Sequence, residues 1–194
     1  MTIMTKYIPN FLKSYFIDNK LHNMKQCCWY EKAIEIASLK TVEKWSEHCL
    51  NTINVEGQTA LLYLCKMSGE DWEETPEKYL ELLQLLIFKK AKPNVKDKYG
   101  FTPLLWACIN GNFDFVKTLV EAGADLNERN KIGTNPLQVV IQMACFTNDF
   151  TIANYIFDRV PAIERDIVQD LIDVANNYKN QTVIDWLADR GITA

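Results

Sequence analysis

One unit of the chain, residues 97–127, constrains the fold more than any other part of the sequence. Gly100 permits a tight turn, Thr102 is a good helix N-cap, and Pro103 suits the first helical position, where its missing N–H costs nothing. Gly111 suits the left-handed residue that ends a short helix, and a second helix follows. The unit therefore predicts a turn and a helix pair. The residues expected to face inward are Leu104, Ala107, Cys108, Phe115, Val116, Leu119 and Val120.

The same unit recurs less completely on both sides of this segment. Gly133 lies one period of 33 residues after Gly100, and Asn135 replaces the cap threonine while remaining a competent cap. Upstream, Gly57 heads another copy, but its spacing of 43 residues from Gly100 implies an insertion of about ten residues, placed at 68–79. Repetition at this period predicts a stack of repeats and not a single central core.

The pattern of residues 97–127, D-x-x-G-x-T-P-L-x-x-A…G…V-x-x-L-V-x-x-G-A-D-x-N, resembles the ankyrin repeat. The family histidine that follows T-P-L is Leu105 here, so we expect its usual hydrogen bond between turns to be absent, and Gln138 stands in that place in the next copy. The resemblance implies an all-α, ankyrin-repeat solenoid and a protein-binding role.

The ends of the chain read as degenerate helix pairs that cap the solenoid. Helices are predicted at 29–37 and 41–49 near the N-terminus, and at 166–177 and 182–189 near the C-terminus, where acidic residues cover the outer face. About five helix-turn-helix pairs are expected in all. The expected division is an N-terminal helical extension 1–24 and a solenoid 25–194, made of a cap pair 25–53, a repeat 54–96 with the insertion 68–79, repeats 97–129 and 130–160, and a cap pair 161–194.

The composition fits a globular protein and limits its function. Hydrophobic residues make up 48% and charged residues 24% of the 194, and the net charge is −4. An acidic chain argues against a nucleic-acid protein that relies on a broad basic field. No stretch approaches the roughly 18 apolar residues of a membrane-spanning helix, and residues 1–20 lack the apolar core of a signal peptide.

The six cysteines are irregularly spaced, so free thiols in the reducing cytoplasm are expected, or in the host cytosol if the protein is a secreted effector. Cys65 and Cys108 align one repeat apart. Because cysteine is among the most buried residue types, these two are predicted to be small core residues.

The sequence offers little material for catalysis or for binding a metal or cofactor. Of the two histidines, His48 precedes Cys49, and neighbouring side chains on a helix point about 100° apart. The set of His22, Cys27 and Cys28 lacks a fourth ligand at a known zinc spacing. No glycine is followed by a Gly-Lys-Ser/Thr phosphate loop. We therefore expect no catalytic residue, no metal and no cofactor.

The resemblance implies that the turn tips and the exposed end of each first helix bind partner proteins. Positions that match the family pattern were carried over one by one, together with residues beside the turns and the tryptophan of the insertion. The expected partner-binding residues are Lys66, Met67, Trp72, Lys96, Lys98, Tyr99, Phe101, Trp106, Ile109, Asn110, Arg129, Lys131, Ile132, Gln142 and Met143.

Five of these residues form what we call the apolar strip, and four cations lie around it. Aromatic residues and methionine are enriched in interface cores, so the strip predicts a hydrophobic ligand, and the cations predict acidic residues on either side of it. The alternative is that some of the rings cover the neighbouring repeat. The strip consists of Tyr99, Phe101, Trp106, Ile132 and Met143. The cations are Lys96, Lys98, Arg129 and Lys131.

The insertion carries Trp72 within an acidic run, residues 70–77. A tryptophan among charges either packs back on the solenoid or is presented to a partner, and the sequence does not choose between them. Thr75 and Pro76 are expected to begin the next helix, with proline at its first position.

Three functions remain open. The first is a non-catalytic protein–protein interaction module, expected to be a monomer that binds neither nucleic acid nor membrane. The alternative is a microbial effector or adaptor that acts on host proteins and recruits ubiquitin machinery through the N-terminal segment. A faint likeness to an F-box in residues 1–29 prompts that idea, although its spacing is too short. The third, an enzyme, would need chemistry around His48 and Cys49.

Overall fold

The computed structural model describes residues 34, 38–54, 56–68, 75–160, 163 and 165–193. These residues form ten helices and no strand, which confirms the all-α solenoid. The helices are α1 Leu39–Val42, α2 Glu47–Leu50, α3 Ala60–Met67, α4 Pro76–Phe88, α5 Pro103–Ile109, α6 Phe113–Glu121, α7 Pro136–Thr147, α8 Thr151–Phe157, α9 Arg165–Tyr178 and α10 Gln181–Ala188.

A side chain caps the first helix of each repeat, at Thr102 and Asn135 as predicted and at Thr59 in the repeat before them. Thr59, Thr102 and Asn135 each accept a hydrogen bond from the backbone N–H three residues later, at 3.3, 3.2 and 2.9 Å. Gln138 completes a capping box, because its side chain accepts from the backbone N–H of Asn135 at 2.8 Å. These caps satisfy N–H groups that the first turn of a helix leaves without partners.

The turns before these helices share one construction, which Asp97 illustrates. Its Oδ1 accepts from the backbone N–H groups of Tyr99 and Phe101, both at 2.9 Å. Gly100 has a φ of +85°, and a Cβ there would lie 2.8 Å from the backbone nitrogen of Lys131, so only glycine fits. The residues equivalent to Asp97 in the other two turns are Asn54 and Asn130.

The repeats stack through two rows of helices. The first helices α3, α5, α7 and α9 contact each other in sequence, and α4, α6 and α8 form the second row. The core runs without interruption along the stack, from Ile34 to Ile192. The residues predicted to face inward from 97–127 are buried, except for the half-buried Val120. Each repeat thus buries its apolar face against its neighbours.

The N-terminal prediction of a single helix over 41–49 is wrong. The chain forms two short helices there, α1 and α2, because Ser46 interrupts the run and caps the second of them by accepting from the N–H of Cys49 at 3.3 Å. In the partner helix predicted over 29–37, only Ile34 is described, and it is helical and buried.

Part of the predicted insertion 68–79 belongs to the following helix. α4 begins at Pro76, with proline at its first position as expected, so residues 76–79 are helical. The helix therefore has 13 residues, against 9 in the equivalent α6. Of the four residues predicted to face inward from this helix, Leu82, Leu83 and Leu86 are buried, and Ile87 is half-buried.

Candidate protein-binding surface

Backbone hydrogen bonds join neighbouring turns at their tips. The N–H of Lys98 donates to the carbonyl of Glu56 at 3.3 Å, and the N–H of Lys131 donates to the carbonyl of Tyr99 at 3.1 Å. The side chains of Tyr99 and Ile132 are 57% and 84% exposed. Because the backbone beneath them is fixed, the two apolar side chains are held at a set spacing in solvent.

The other aromatic residues of the apolar strip form a pair behind the tips. The rings of Phe101 and Trp106 lie 4.9 Å apart between centroids, at an interplanar angle of 31°. The indole Nε1–H of Trp106 donates to Oδ2 of the buried Asp97 at 3.3 Å, and Nζ of Lys66 lies 5.8 Å from the Trp106 ring centroid. Both rings are half-buried against the core, so each supports the repeat and also presents an accessible edge.

Three of the four cations around the strip already have carboxylate partners. Lys98 pairs with Glu56, Lys96 pairs with Glu128 at 2.5 Å, and Arg129 pairs with Asp166 at 2.7 Å. The hydrogen bond to the Glu56 carboxylate raises the pKa of Lys98, and the hydrogen bond from Arg129 lowers the pKa of Asp166.

Lys131 differs from the other three cations. It is exposed and forms no ion pair with any residue that the structure describes. Most of the positive charge around the strip is therefore neutralised within the chain. The pairs are exposed, and such pairs are individually weak, so an acidic partner could exchange with them.

Comparison with known proteins identifies the type of repeat. The model described as Ankyrin repeats (3 copies) matches residues 75–169. The chain carries ankyrin repeats. The matched segment covers α4 to the first turn of α9, and thus includes the turn tips that bear Tyr99 and Ile132.

Relatives with ankyrin repeats come from viruses, bacteria and animals. The chain is 31% identical over 83 residues to ankyrin repeat protein OPG189 of variola virus, which covers 43% of this chain and 13% of the viral protein. It is 43% identical over 54 residues to a putative ankyrin repeat protein of Rickettsia bellii, covering 28% and 32%. It is 34% identical over 93 residues to ankyrin repeat and SAM domain-containing protein 6 of Rattus norvegicus, covering 47% and 9%. The chain thus spans a third or less of each of these relatives.

Asn110, which we predicted to contact a partner, holds two neighbouring repeats together. Its Nδ2 donates to the carbonyls of Cys65 and Lys66 at 2.9 and 3.0 Å, and lies 3.1 Å from Oγ of Ser68. These bonds tie the end of α5 to the end of α3. The amide nitrogen is therefore occupied by the stacking of repeats.

The remaining predicted residues lie in different surroundings. Ile109 and Met143 are half-buried against the core, and Met67 is half-buried at the end of α3. Gln142 is exposed, and its Nε2 donates to the hydroxyl of Tyr178 at 3.0 Å. Trp72 lies outside the described residues, so the choice between its two orientations stays open.

Sequence analysis missed an exposed aromatic pair beside Gln142. Phe146 and Tyr178, at the ends of α7 and α9, are 63% and 41% exposed, and their ring centroids lie 4.8 Å apart in an edge-to-face arrangement. The spacing of four residues from Gln142 to Phe146 places both on one helix face, which is the signal that could have found Phe146. The 12 residues of α7 span about 18 Å, so this pair and Ile132 mark opposite ends of the helix.

The described part of the chain has other groups that could take part in chemistry. It contains no group of three or more His, Cys, Asp or Glu residues that could hold a metal ion. Burial raises the pKa of the free thiols of Cys65 and Cys108, which are core residues as predicted and stay protonated. His48 is exposed and Cys49 half-buried, whereas His22, Cys27 and Cys28 lie outside the described residues.

Two further features concern small molecules and membranes. A groove between α9 and α10 has a volume of about 140 Å³, below the roughly 300 Å³ from which small-molecule sites begin. None of the helices in the described ranges is long and apolar enough to cross a bilayer.

Proposed function

We propose that the chain binds a partner protein through its turn tips and the exposed ends of its first helices, centred on the apolar strip. The family supports the coarse part, since ankyrin repeats are protein–protein interaction modules. The finer part rests on one observation, the exposure of Tyr99 and Ile132 on adjacent tips whose backbones are hydrogen-bonded to each other.

Energetics favour these two side chains as the centre of the interface. Burying a large apolar side chain contributes about 1.5–3 kcal/mol, and a few such residues carry most of the energy of an interface. The fixed backbone lowers the entropy lost on binding. Phe101, Trp106 and Met143 gain less on binding, because the core already covers part of each.

The partner that fits this surface is an apolar segment with limited acidic flanks. Of the four cations around the apolar strip, Lys131 is the one that can meet a partner carboxylate without losing an ion pair to another described residue. Lys96, Lys98 and Arg129 would first have to leave Glu128, Glu56 and Asp166. We therefore propose one acidic residue near Lys131, next to apolar residues that cover Tyr99 and Ile132.

The test compares proteins captured from a cell lysate by the chain and by two variants. Tyr99→Ser with Ile132→Ser is expected to lose the main partner, while Ile53→Ser, which also removes an exposed apolar side chain, retains it. Alanine at Phe101 is avoided because it would disturb the pair with Trp106. An unchanged capture profile for the double variant, with its fold intact, contradicts the proposal.

A second candidate is a microbial effector or adaptor that acts on host proteins. The relatives in variola virus and Rickettsia bellii support it, whereas the rat relative shows that such repeats are not confined to microbes. Recruitment of ubiquitin machinery by the N-terminal segment stays a prediction. If it is right, removal of residues 1–24 eliminates captured ubiquitin-ligase subunits but keeps partners that depend on Tyr99 and Ile132. If removal of residues 1–24 causes the loss of neither class of protein, the adaptor role is contradicted.

We further propose a non-catalytic, cytoplasmic monomer. Ankyrin-repeat proteins are generally non-catalytic. The buried free thiols of Cys65 and Cys108 support a reducing compartment. A molar mass of one chain in light scattering would support the monomer, and a mass of two chains would contradict it.

A further inference from the structure

Residues 88–92, at the end of α4, form a basic corner. Asn51 holds it in place: its Nδ2 donates to the carbonyl of Lys90 at 3.5 Å, and its Oδ1 accepts from the N–H of Lys92 at 2.9 Å. Phe88 is 81% exposed, and Lys90 and Lys92 are exposed as well. Neither lysine forms an ion pair within the described part of the chain.

The same corner recurs one repeat later, at residues 121–125. Asn94 makes the two contacts that Asn51 makes in the basic corner, with the carbonyl of Gly123 at 3.1 Å and the N–H of Asp125 at 2.9 Å. The two backbones are therefore held alike. They differ in side chains, because the basic corner reads Phe-Lys-Lys-Ala-Lys, whereas the second, acidic corner reads Glu-Ala-Gly-Ala-Asp.

Lys90 occupies a backbone conformation that suits glycine. Its φ is +71°, and the equivalent Gly123 has a φ of +87°. A side chain in this left-handed region costs backbone energy that glycine avoids. The corner thus carries an exposed positive charge at a position where glycine would be less strained. Asn148 and Lys179 are the other described non-glycine residues with a positive φ.

The third lysine, Lys89, is partly engaged. Its Nζ donates to the carbonyl of Glu43 at 3.0 Å, at the end of α1. This contact ties Lys89 to the end of α1, so its ammonium group is less available to a ligand than those of Lys90 and Lys92. Lys90 and Lys92 remain as the charges that a ligand can reach, on either side of the buried Ala91.

We propose that the basic corner binds an acidic segment of a partner protein, with an apolar side chain on Phe88 and carboxylates facing Lys90 and Lys92. The site shares no residue with the apolar strip, so it does not depend on the function proposed above. Bilayers and nucleic acids present negative charge over a wide area, which would also meet the rest of a chain whose net charge is −4. A short acidic peptide avoids that repulsion.

The test is a titration of the whole, isotope-labelled chain with the peptide Glu-Glu-Phe-Glu-Glu, followed by amide chemical shifts. The shifts are expected at 88–92 and not at 121–125, and they should weaken as salt rises. The peptide Gln-Gln-Phe-Gln-Gln is expected to bind at least about fivefold more weakly. Absence of shifts at 88–92 at about 5 mM peptide, or equal binding of the two peptides, overturns the proposal.

Two matched variants separate the corner from the rest of the chain. Lys90→Gly with Lys92→Asp gives the basic corner the residues of the acidic one, and peptide affinity is expected to fall about tenfold. Glu121→Gln with Asp125→Asn is the control and should leave affinity unchanged. Equal affinity of the first variant and the unaltered chain overturns the proposal. Tighter binding to vesicles of 70% phosphatidylcholine and 30% phosphatidylserine than to the peptide would also overturn it, in favour of a membrane.

Lys90→Gly alone distinguishes binding from structure. Its melting temperature is expected to rise by about 2 °C, because the left-handed strain is relieved, while peptide affinity falls about threefold. A residue with only a structural role would not lose affinity as stability increased. Unchanged affinity in this stabilised variant contradicts a role for Lys90 in binding.

Discussion

The buried and the exposed positions of the turn at 97–101 differ in how far they repeat in the other two turns. In the turn at 97–101, Asp97 is 6% exposed and Gly100 is buried, whereas Tyr99 between them is exposed. The inward positions hold Asp or Asn and Gly in all three turns. The position of Tyr99 holds the half-buried Glu56 in the first turn and the exposed Ile132 in the third. Positions that repeat build the stack, and positions that vary are free to recognise a partner.

The largest effect is expected at an inward glycine. Gly100→Ala should lower the free energy of unfolding by about 3 kcal/mol, because the new Cβ meets the Lys131 backbone at 2.8 Å and the φ is left-handed. Gly133→Ala is the matched control, since its φ of +88° is equally strained but no atom lies within 4 Å. This control should lower the free energy of unfolding by about 1 kcal/mol, as measured by urea denaturation. Equal losses would show that contact between the turns does not stabilise the stack.

A smaller effect is expected at Asp97, which joins the inward and outward sides of its turn. Asp97→Ala should cost about 2 kcal/mol, because the N–H groups of Tyr99 and Phe101 and the indole of Trp106 lose their acceptor. Asp97→Asn keeps the Oδ1 acceptor that asparagine supplies in the other two turns.

The asparagine variant should therefore lose about 1 kcal/mol or less, mainly through the hydrogen bond to Trp106. Tryptophan fluorescence would report the altered indole environment, and urea denaturation would measure the loss of unfolding free energy in both variants. If asparagine is as destabilising as alanine, the shared construction of the three turns is not what stabilises them.

The smallest effect is expected from the ion pair of Arg129 with Asp166. The pKa of Asp166 is lowered in the folded state, so its contribution to stability is present above the unfolded pKa and lost as pH falls through the folded pKa. Asp166→Asn should thus lower the melting temperature slightly at pH 7 and not at about pH 2.5. Asp158→Asn, at an exposed position at the end of α8, should change it at neither pH. If Asp166→Asn still lowers the melting temperature at the acidic pH, this account is contradicted.

The sequence was sufficient to predict the parts of the fold that depend on local backbone chemistry. The caps Thr102 and Asn135 and the turn at Gly100 follow from residues within a few positions of each other. The break at Ser46 was missed because a serine inside an apolar pattern reads equally well as a surface residue of one longer helix.

The candidate surface was harder to predict, because much of it depends on how repeats stack. Glu56, which pairs with Lys98, and Asp166, which pairs with Arg129, come from neighbouring repeats. Predicting these ion pairs therefore requires the distance between repeats and not only the sequence pattern. Asn110 was assigned to a partner for the same reason, although its amide bridges α5 and α3. The exposure of Tyr99 could be predicted from the turn, because the conformation of the turn does not require a particular residue type at that position.

The central claim is that varying tip residues recognise a partner without supporting the fold. Its most direct test is the dissociation constant of the captured main partner, with the melting temperature measured on the same samples. Tyr99→Ser with Ile132→Ser should weaken binding about a hundredfold, since each removes about 1.5 kcal/mol of buried apolar contact, and should leave the melting temperature within about 2 °C. Unchanged affinity, or a loss of affinity that accompanies unfolding, would contradict the claim.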